Sequence, residues 1–486
     1  SWINDNTDLS DTTLVIDASK GAVATVAEDI FESISCRNVF FTNLEGNINE
    51  HCGVADIEGT EEVLREDVFG DGAKFASYET LKKLFSVADE LKDSDDTSKK
   101  IIGLVFDGDG DRCYRLDYSP QNDKLIVSSG DHLGIHQAKY LKTQKSDSDS
   151  LFVNTVESDL KTAISARNLG YEPVLTGVGD KWILSRAVSD MIQGALNDST
   201  PALEEFNRIT QSDELSGLEL STFWRSMLEK PEELNPSPSS RFAIGIEESG
   251  HSITPGYLTD DLSELPSFSG NGIKSGLNSL VATRQMYTDE NWFQSLEAPY
   301  DPGIKSTFYT YYVDKSLILP GSPFRDSFKK LLVDCFHDYF PKSFELEFVE
   351  FAEEKPMLYC SITESGEQIG AIFIRNSGTE DKSALYLRGE KQLEGYLNGI
   401  GEKLHLKMLT ELKIPDNEFT TLELILLQSI RDSQELEEIS EQNRALPVER
   451  VLKEIEFKEK LIAKEGQGYK LTQKGLDFLA AWAEKH

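Results

Sequence analysis

The segment DGDGDR at residues 107–112 constrains this chain more than any other. It follows the apolar run of residues 101–106, which predicts a buried strand that ends at Asp107. Asp107, Asp109 and Asp111 can converge on one cation only if the backbone curls tightly, and the intervening glycines permit that conformation. Because all-oxygen ligation suits a hard cation, the segment predicts a loop that binds Mg²⁺ or Ca²⁺.

An EF-hand and an ordinary surface turn are the two alternatives to a magnesium loop. An EF-hand also begins with alternating aspartates, but it requires Gly at the sixth position and Glu at the twelfth. Those positions hold Arg112 and Tyr118, so the EF-hand is excluded. No further acid lies in the loop, which favours Mg²⁺ completing its octahedron with ligand oxygens. An ordinary Asp/Gly surface turn is the other alternative, although such a turn has little need of Arg112.

Short apolar runs alternate with helix-length periodic segments, which predicts α/β layering. The predicted strands are residues 14–17, 38–42, 101–106, 151–156, 172–176 and 242–246, and the predicted helices are 22–34, 78–91, 158–170 and 272–287. Residues 197–240 are irregular and rich in proline, which favours an insertion.

The later part of the chain predicts a different layout. It combines a helix at 324–340, strands within 357–363 and 370–380, and a helix at 393–409. Short helices and the stretch YKLTQ (469–473) then suggest a small winged-helix-like module. The predicted divisions are a linker at 1–10, α/β domains at 11–130 and 131–300, an α+β domain at 301–412, and the winged-helix-like module at 417–486.

The overall charge restricts the ligands of this chain. With 49 Lys+Arg against 85 Asp+Glu, the net charge is −36, which argues against a general nucleic-acid or anionic membrane surface. Residues 421–486 carry 10 Lys+Arg and 13 Asp+Glu, so DNA binding by the last module is not expected either. An anionic ligand would therefore need a local basic pocket.

The segment RNSGTE at 375–380, directly after a predicted strand, supplies such a pocket. The guanidinium of Arg375, the hydroxyls of Ser377 and Thr379, and the backbone exposed by Gly378 form a suitable anion cradle. A plain polar turn has the same composition, so phosphate binding and a structural turn both remain open from these residues alone.

Two weaker segments also follow predicted strands. In GIEESGH (245–251), Glu247 and Ser249 are two residues apart, which suits a pair of vicinal sugar hydroxyls. The nearby His251 is interpreted equally as a packed histidine or as a ligand or acid. In TGVGDKW (176–182), a glycine-rich stretch that ends at Gly179 precedes the polar pair Asp180 and Lys181.

The five cysteines are odd in number and far apart, and no two have metal-ligand spacing, which favours a reduced cytosolic compartment. No run approaches about 18 consecutive apolar residues, so a transmembrane helix is not expected. A cytoplasmic location is therefore predicted, without a membrane partner.

In their order and context, the segments DGDGDR, TGVGDKW, GIEESGH and RNSGTE resemble the loops of the α-D-phosphohexomutase superfamily, which includes phosphomannomutase/phosphoglucomutase and phosphoglucosamine mutase. The resemblance covers residues 11–412 and implies repeated three-layer α/β domains followed by an α+β phosphate-binding domain. It also implies transfer of a phosphoryl group between the 1- and 6-positions of a hexose phosphate through a hexose 1,6-bisphosphate.

The resemblance implies a role for each site residue. Asp107, Asp109 and Asp111 would bind Mg²⁺, and Arg112 would lie beside the reacting phosphate. Sugar hydroxyls would be selected by residues 245–251, which we term the sugar loop, and by the adjoining segment 176–182. The non-reacting phosphate would be held by residues 375–380. The residues concerned are Glu247, Ser249, Gly179 and Asp180 for the sugar, and Arg375, Ser377, Gly378 and Thr379 for the phosphate.

The sequence also departs from the family pattern. The phosphoserine loop of the family contains Ser-His-Asn, and that tripeptide does not occur in this chain. The segment LVIDASKG resembles the start of the second family domain, so we expect the serine donor to be absent and the chain alone to be inactive. The missing N-terminal domain or a second copy of the chain is the protein partner left open by the sequence. Ile246 and the GNGI run at 270–273 also differ from the family loops.

Two alternatives to the phosphomannomutase/phosphoglucomutase type remain open from the sequence. NINEHCG (47–53) and VGDKW resemble the phosphoglucosamine mutase branch. A non-catalytic regulatory protein that binds a sugar phosphate, with the last module as its output, would also satisfy the loops that are present.

Overall fold

The computed structural model describes the chain except for residues 5–6, 93–99, 145–148, 197–200, 211–216, 236–239, 260–263, 290, 379, 435–445 and 467. The described residues form two compact units, Ser1–Pro302 and Gly303–His486. None of the helices in this described part combines the length and the apolar character that a membrane crossing requires. The observed architecture is α/β, with mixed sheets in the first unit and an antiparallel sheet in the second.

The first sheet of unit 1 has six strands in the order β2-β1-β4-β5-β6-β3. Its strands are β1 (Leu9–Asp17), β2 (Cys36–Thr42), β3 (Glu62–Leu64), β4 (Lys100–Phe106), β5 (Cys113–Ser119) and β6 (Lys124–Ser128). The accompanying helices are α1 (Ala27–Glu32), α2 (Val54–Ile57), α3 (Glu66–Phe69) and α4 (Glu79–Lys92).

Both faces of this sheet are buried, which explains the continuous apolar runs of its central strands. Alternate residues of a strand point to opposite faces. Val15 of β1 accordingly packs in the apolar cluster that contains α4, whereas Leu14 and Ile16 pack in the cluster that contains Phe31 of α1. Helices therefore cover the sheet on both sides.

The six-stranded sheet positions the acidic loop. Strand β4 pairs in parallel with β1 and antiparallel with β5. The pair Phe106↔Cys113 closes the β4–β5 hairpin, so residues 107–112 form its connecting loop. The predicted strand 101–106 and the loop that follows it are thus confirmed.

The second sheet of unit 1 has four strands in the order β10-β9-β7-β8. The strands of this part are β7 (Leu151–Thr155), β8 (Glu172–Thr176), β9 (Phe242–Ile246), β10 (Ser252–Ile253) and the separate pair β11 (Gly256–Thr259) and β12 (Glu264–Ser267). The helices are α5 (Gly130–Gln144), α6 (Leu160–Asn168), α7 (Asp180–Ala195), α8 (Pro201–Thr210), α9 (Gly217–Leu228), α10 (Gly272–Thr283) and α11 (Trp292–Glu297).

Parallel pairing in this sheet brings two of the predicted sugar segments together. Strand β7 pairs in parallel with both β8 and β9. The carboxyl ends of the three strands therefore share one edge, where the segments after Thr176 and Ile246 emerge. Ligands of open α/β sheets commonly bind at that edge.

Some predicted elements need correction in unit 1. The stretch 197–240 is not irregular throughout, because α8 and α9 form there and pack against α7 through Phe206, Phe223 and Met227. Pro201 is the first residue of α8, where a proline loses no helical hydrogen bond, and Pro231 follows the end of α9. The predicted helix 22–34 is a 3₁₀ turn, Ala22–Thr25, followed by the short α1.

The N-terminal stretch is also more ordered than the predicted linker. Leu9 and Ser10 are the first residues of β1. Upstream of them, the backbone amide of Trp2 donates to Oδ1 of Asn278 over 2.8 Å. The centroid of the Trp2 ring lies 5.0 Å from that of the Tyr140 ring.

Unit 2 is built on a five-stranded antiparallel sheet in the order β13-β17-β16-β15-β14. Its strands are β13 (Ile304–Tyr311), β14 (Phe344–Val349), β15 (Leu358–Glu364), β16 (Glu367–Asn376) and β17 (Lys382–Gly389). Helices α12 (Pro323–Tyr339) and α13 (Glu394–Leu412) share an apolar cluster with the sheet, which includes Phe328, Ile372 and Leu404.

The C-terminal part of unit 2 consists of α14 (Glu418–Arg431), α15 (Val448–Lys453), a π-helical segment (Glu454–Lys458), the hairpin of β18 (Ile462–Glu465) and β19 (Gly468–Leu471), and α16 (Gln473–Lys485). The predicted stretch 469–473 thus contributes one hairpin strand and the start of a helix. Leu409 of α13 joins the apolar cluster of these elements, so they pack directly on the preceding helix.

Candidate functional site

The acidic loop curls around the side chain of Asp107. Its Oδ1 accepts hydrogen bonds from the backbone amides of Gly110 (3.2 Å) and Arg112 (3.1 Å). Gly110 adopts a φ of +81°, in the left-handed region that glycine enters without cost. As a result, one carboxylate oxygen each from Asp107, Asp109 and Asp111 lies within 4.8 Å of the others. The predicted metal residues are therefore brought together.

The electrostatics of the loop differ among its members. Burial raises the pKa of Asp107 to about 6. A hydrogen bond with His251 instead lowers the pKa of Asp111. The Oδ1 atom of Asp111 is buried and, within the described part of the chain, has no hydrogen-bond partner. A buried carboxylate oxygen without a partner is costly, and a cation would satisfy it.

Two neighbouring segments hold the backbone of the acidic loop. The carbonyl of Gly108 accepts from the amide of Ala22 (2.8 Å), and the carbonyl of Gly110 accepts from the amide of Gly272 (3.0 Å). A Cβ added at Gly21 would lie 2.1 Å from the Gly108 carbonyl oxygen, so only glycine permits this approach. The loop is therefore held by segments that are distant in sequence.

Three of the four predicted sugar residues, Gly179, Ser249 and Glu247, form one hydrogen-bonded group around Glu247, which is only 4% exposed. Its Oε1 accepts from the amide of Gly179 (3.0 Å), and its Oε2 accepts from the hydroxyl of Ser249 (3.0 Å). Burial is the largest influence on Glu247 and opposes its charge, but the hydrogen bond and positive charge of His251, together with the hydrogen bonds from Ser249 and Gly179, lower the pKa of this carboxyl overall. Glu247 is thus held as a carboxylate.

His251 connects the sugar loop with the acidic loop. Its Nδ1 lies 2.7 Å from Oε2 of Glu247, and its Nε2 lies 3.1 Å from Oδ2 of Asp111. Burial disfavours the charged ring, but the hydrogen bonds to the two carboxylates prevail and raise the pKa of His251 to about 9. The ring is therefore an imidazolium at neutral pH. The sequence alone did not distinguish a histidine with such polar contacts from a packed histidine.

Asp180 lies at the N-terminus of α7 beside the same group. Potential ligand atoms of Asp180, Asp111 and His251 lie within 4.8 Å of one another. A Cβ added at Gly270 would be 3.4 Å from Oδ2 of Asp180 and 3.6 Å from Cβ of Asp111. Gly270, the first residue of the GNGI run, thus lies against both carboxylate side chains.

Arg112 lies at the rim of the acidic loop. Its Nε is 3.4 Å from Oδ2 of Asp107, and 39% of its side chain is exposed. The backbone of Arg112 also forms a β-bridge with His251. The guanidinium is therefore anchored beside the three carboxylates while part of it faces solvent.

The predicted phosphate residues lie in unit 2, at the end of β16. The Nε of Arg375 donates to Oε1 of Glu354 over 2.7 Å, and both side chains are largely buried. The hydroxyl oxygen of Ser377 accepts from the amide of Glu380 (3.1 Å). Gly378 is exposed between them, and Thr379 lies outside the described residues.

Lys315 is a contributor to this loop that the sequence did not reveal. Its ammonium donates to the carbonyls of Ser377 (2.9 Å) and Glu380 (2.6 Å). Lys315 is about sixty residues from its partners, and Glu354 is 21 residues from Arg375. No local spacing marks either residue, so only the folded chain identifies them.

Comparisons with known proteins give distant sequence matches. No family model matches the chain. Phosphoglucosamine mutase of Ruthia magnifica subsp. Calyptogena magnifica is 27% identical over 175 residues, which is 36% of this chain and 32% of that relative. Phosphoglucosamine mutase of Clostridium botulinum (strain Alaska E43 / Type E3) is 39% identical over 89 residues, or 18% of this chain and 19% of that relative. The chain thus spans about a third or less of the length of these curated relatives.

Among solved structures, a phosphoglucomutase/phosphomannomutase family protein of Burkholderia thailandensis aligns over 83% of this chain and 61% of its own length, with 13% identity and a TM-score of 0.44. A structure of N-acetylglucosamine-phosphate mutase in its substrate complex aligns over the same shares, 83% and 61%, with 14% identity and a TM-score of 0.43.

Proposed function

We propose that this chain, which belongs to the α-D-phosphohexomutase superfamily by distant sequence similarity, contributes the metal-binding and sugar-phosphate-binding parts of a phosphohexomutase. The observation that carries the proposal is the connection of the acidic loop to the sugar loop through His251. A metal site and a hydroxyl-binding carboxylate that share one imidazolium form a single polar site suited to a phosphorylated sugar.

The acidic loop fits Mg²⁺. Asp107, Asp109 and Asp111 offer three oxygen ligands in one small volume, and the buried Oδ1 of Asp111 lacks a partner among the described residues. Mg²⁺ bound by these carboxylates would neutralise negative charge on the phosphoryl group that is transferred. We therefore assign Mg²⁺ as the cofactor.

The remaining groups of unit 1 bind and orient the substrate in this proposal. Arg112 offers a guanidinium for phosphoryl oxygens beside the acidic loop. Glu247 accepts hydrogen bonds from vicinal sugar hydroxyls, Ser249 contributes a second polar contact, and Gly179 and Asp180 form the adjoining wall. His251 holds Asp111 and Glu247 as carboxylates, because its positive charge stabilises both.

The loop of unit 2 holds the phosphate that does not react. Arg375 supplies a guanidinium, Ser377 and Thr379 supply hydroxyls, and Gly378 lets the backbone approach a phosphate closely. In the proposed reaction, a phosphoryl group passes to the 1- or 6-hydroxyl of the hexose monophosphate, and the bisphosphate then returns its other phosphate to the donor.

We place the phosphoryl donor outside these 486 residues, because no Ser-His-Asn tripeptide occurs in them. The proposed domains are 11–130, 131–300 and 301–412, with three-layer α/β architecture in the first two, followed by a winged-helix-like module at 417–486. Among substrates, glucosamine phosphate is the first candidate, since the curated relatives named above are phosphoglucosamine mutases. Glucose and mannose phosphates are the alternatives.

Calorimetric titration of the full chain with glucose, mannose and glucosamine 6-phosphates, with and without Mg²⁺, tests the proposal. We expect at least one sugar phosphate to bind, and Arg375→Ala to weaken its binding about tenfold or more, as loss of a charge-assisted contact would. Arg431→Ala, at an exposed position of the same unit, is the matched control. Binding that is equal in the two variants would contradict the proposed phosphate site.

A second assay tests where the donor lies. The chain alone should not interconvert hexose 1- and 6-phosphates, whereas adding a phosphoserine domain of a phosphoglucosamine mutase should produce turnover. Substantial turnover by the chain alone would show that a donor lies within these residues.

A further inference from the structure

Residues 311–315, which we term the strap, run from Tyr311, the last residue of β13, to Lys315. On one side the strap contacts the C-terminal module, residues 417–486. On the other side it contacts the Arg375 loop, residues 375–382. All three belong to unit 2, so their contacts lie within one compact unit.

The C-terminal module contacts the strap through three groups. The amide of Tyr311 donates to Oε1 of Glu459 over 2.9 Å. The hydroxyl of Tyr312 donates to Glu454, and the Tyr312 ring stacks on Phe419 with centroids 5.0 Å apart and planes 18° apart. Both tyrosines are buried, so these contacts are shielded from water.

A buried ionic cluster reinforces this junction. The ammonium of Lys413 lies 2.6 Å from Oε2 of Glu423 and 2.7 Å from Oε1 of Glu459, and all three side chains are at most 1% exposed. Lys413 also donates to the carbonyl of Tyr311 over 3.3 Å. Because the loss of Lys413 or of Glu459 would leave a buried charge uncompensated, the junction tolerates little displacement.

The opposite side of the strap holds the Arg375 loop. The amide of Tyr312 donates to the carbonyl of Asp381 over 2.8 Å. Lys315 donates to two carbonyls of the loop, and its own carbonyl accepts from Nδ2 of Asn376 over 2.9 Å. The strap therefore determines where the backbone of the loop lies.

Tyr312 is the point at which the two sets of contacts meet. Its φ is +59°, a left-handed conformation that is unfavourable for a bulky side chain. Such a conformation persists only where the surroundings impose it. Here the side chain is held by the C-terminal module, while the amide is held by the Arg375 loop.

We propose that the C-terminal module is a positioning element for the anion-binding loop, acting through the strap. Glu454 and Glu459 are its positioning residues, because they hold Tyr312 and Tyr311 of the strap. The amide of Tyr312 in turn holds the loop that carries Arg375 and Ser377. The identity of the anion, a hexose phosphate, rests on the proposed function, whereas the mechanical connection does not.

The test uses the full chain with Tyr312→Phe, which removes the hydroxyl but keeps the stacked ring, and with Glu459→Gln. Leu479→Ala is the control, because Leu479 lies in the apolar cluster of the same module, and that cluster contains no strap residue. Hydrogen–deuterium exchange of peptides covering 375–388 and calorimetric binding of inorganic phosphate and glucose 6-phosphate are measured below the unfolding transition of every variant.

We expect Tyr312→Phe to raise the exchange rate of the loop about three- to tenfold, which corresponds to one lost hydrogen bond, and to weaken anion binding by a similar factor. Leu479→Ala should lower the melting temperature without changing loop exchange. The inference would be overturned by unchanged loop exchange in Tyr312→Phe and Glu459→Gln, or by equal exchange in Leu479→Ala. If the parent chain binds neither anion, the proposed function fails, and loop exchange still decides the inference.

Discussion

The Nε2 atom of His251 lies 3.1 Å from Oδ2 of Asp111, so a histidine of the sugar loop forms an ion pair with a carboxylate of the acidic loop. The two residues are 140 positions apart in the sequence. A positive charge beside a metal ligand has two opposing effects. It keeps Asp111 ionised, and it also repels a cation that binds there.

We expect His251→Gln to bind Mg²⁺ more tightly than the parent chain, by roughly three- to tenfold. Glutamine keeps a hydrogen-bond donor but removes the charge, and one unit charge within about 5 Å changes cation binding by that order in a polar site. Calorimetric titration with Mg²⁺ at pH 7.5 measures the effect. Weaker binding would mean that orientation of Asp111 matters more than repulsion.

Each of Asp107→Asn, Asp109→Asn and Asp111→Asn should weaken Mg²⁺ binding by at least about tenfold, because a neutral amide is a poorer ligand for a hard cation. Asp71→Asn, at an exposed position of the same unit, is the matched control. Titration of the four variants under one set of conditions checks this expectation. Parent-like binding in all three loop variants would exclude the acidic loop as the metal site.

Gly21→Ala should damage the acidic loop from outside it. The new Cβ would lie 2.1 Å from the carbonyl oxygen of Gly108, so the two segments must separate. We expect a loss of about 1–3 kcal/mol in the free energy of unfolding, together with weaker Mg²⁺ binding.

Gly395→Ala provides the comparison for that substitution. It lies in α13, where an added Cβ meets nothing within 4 Å, and a gain of up to about 1 kcal/mol is expected from helix propensity. Urea unfolding of both variants measures the difference. Equal stability of Gly21→Ala and the parent chain would contradict the close approach.

Glu354→Gln should strengthen anion binding at the Arg375 loop by roughly three- to tenfold at low salt, because the carboxylate that now offsets the guanidinium charge is removed. Glutamine still offers an oxygen acceptor for Nε of Arg375. Glu353→Gln, at the exposed neighbouring position, is the control. Calorimetric titration with glucose 6-phosphate, at low and at high salt, measures the affinity of each variant. Equal affinities of Glu354→Gln and Glu353→Gln at low salt would refute this prediction.

Glu423→Gln should change how stability depends on pH. Burial raises the pKa of Glu423 well above its ordinary value of 4.5, so the folded chain holds this proton more tightly than the unfolded chain. The resulting stabilisation is complete below pH 4.5 and is lost as the pH rises through the pKa of the folded state. The variant should therefore exceed the parent in stability at pH 8, with a smaller difference at pH 5.

Denaturant unfolding followed by circular dichroism between pH 5 and pH 8.5 measures this profile. Glu418→Gln, at an exposed position in the same helix, is the matched control. A constant difference between Glu423→Gln and the parent across the range would show that the buried carboxyl does not retain a proton in the folded chain.

Much of the fold followed from local patterns. Short apolar runs predicted β4, β7 and β9 to within a residue or two, because strands buried on both faces are apolar on both faces. The stretch 197–240 was the main failure. Its prolines suggested irregular chain, whereas the apolar stripes of α8 and α9 decided the outcome by packing on α7.

The acidic loop could be recognised from the sequence, because its three carboxylates are neighbours along the chain and its glycines permit the curl that brings them together. The pairing of His251 with Asp111, and the partners of Arg375 and of the strap, could not be recognised in this way. Asp111 and His251, or Tyr312 and Glu454, approach each other only when distant strands and helices pack. The sequence by itself therefore determined which side chains are proposed to bind a metal or a phosphate. The tertiary structure decided their charges and their supporting contacts, because these depend on burial and on contacts between remote segments.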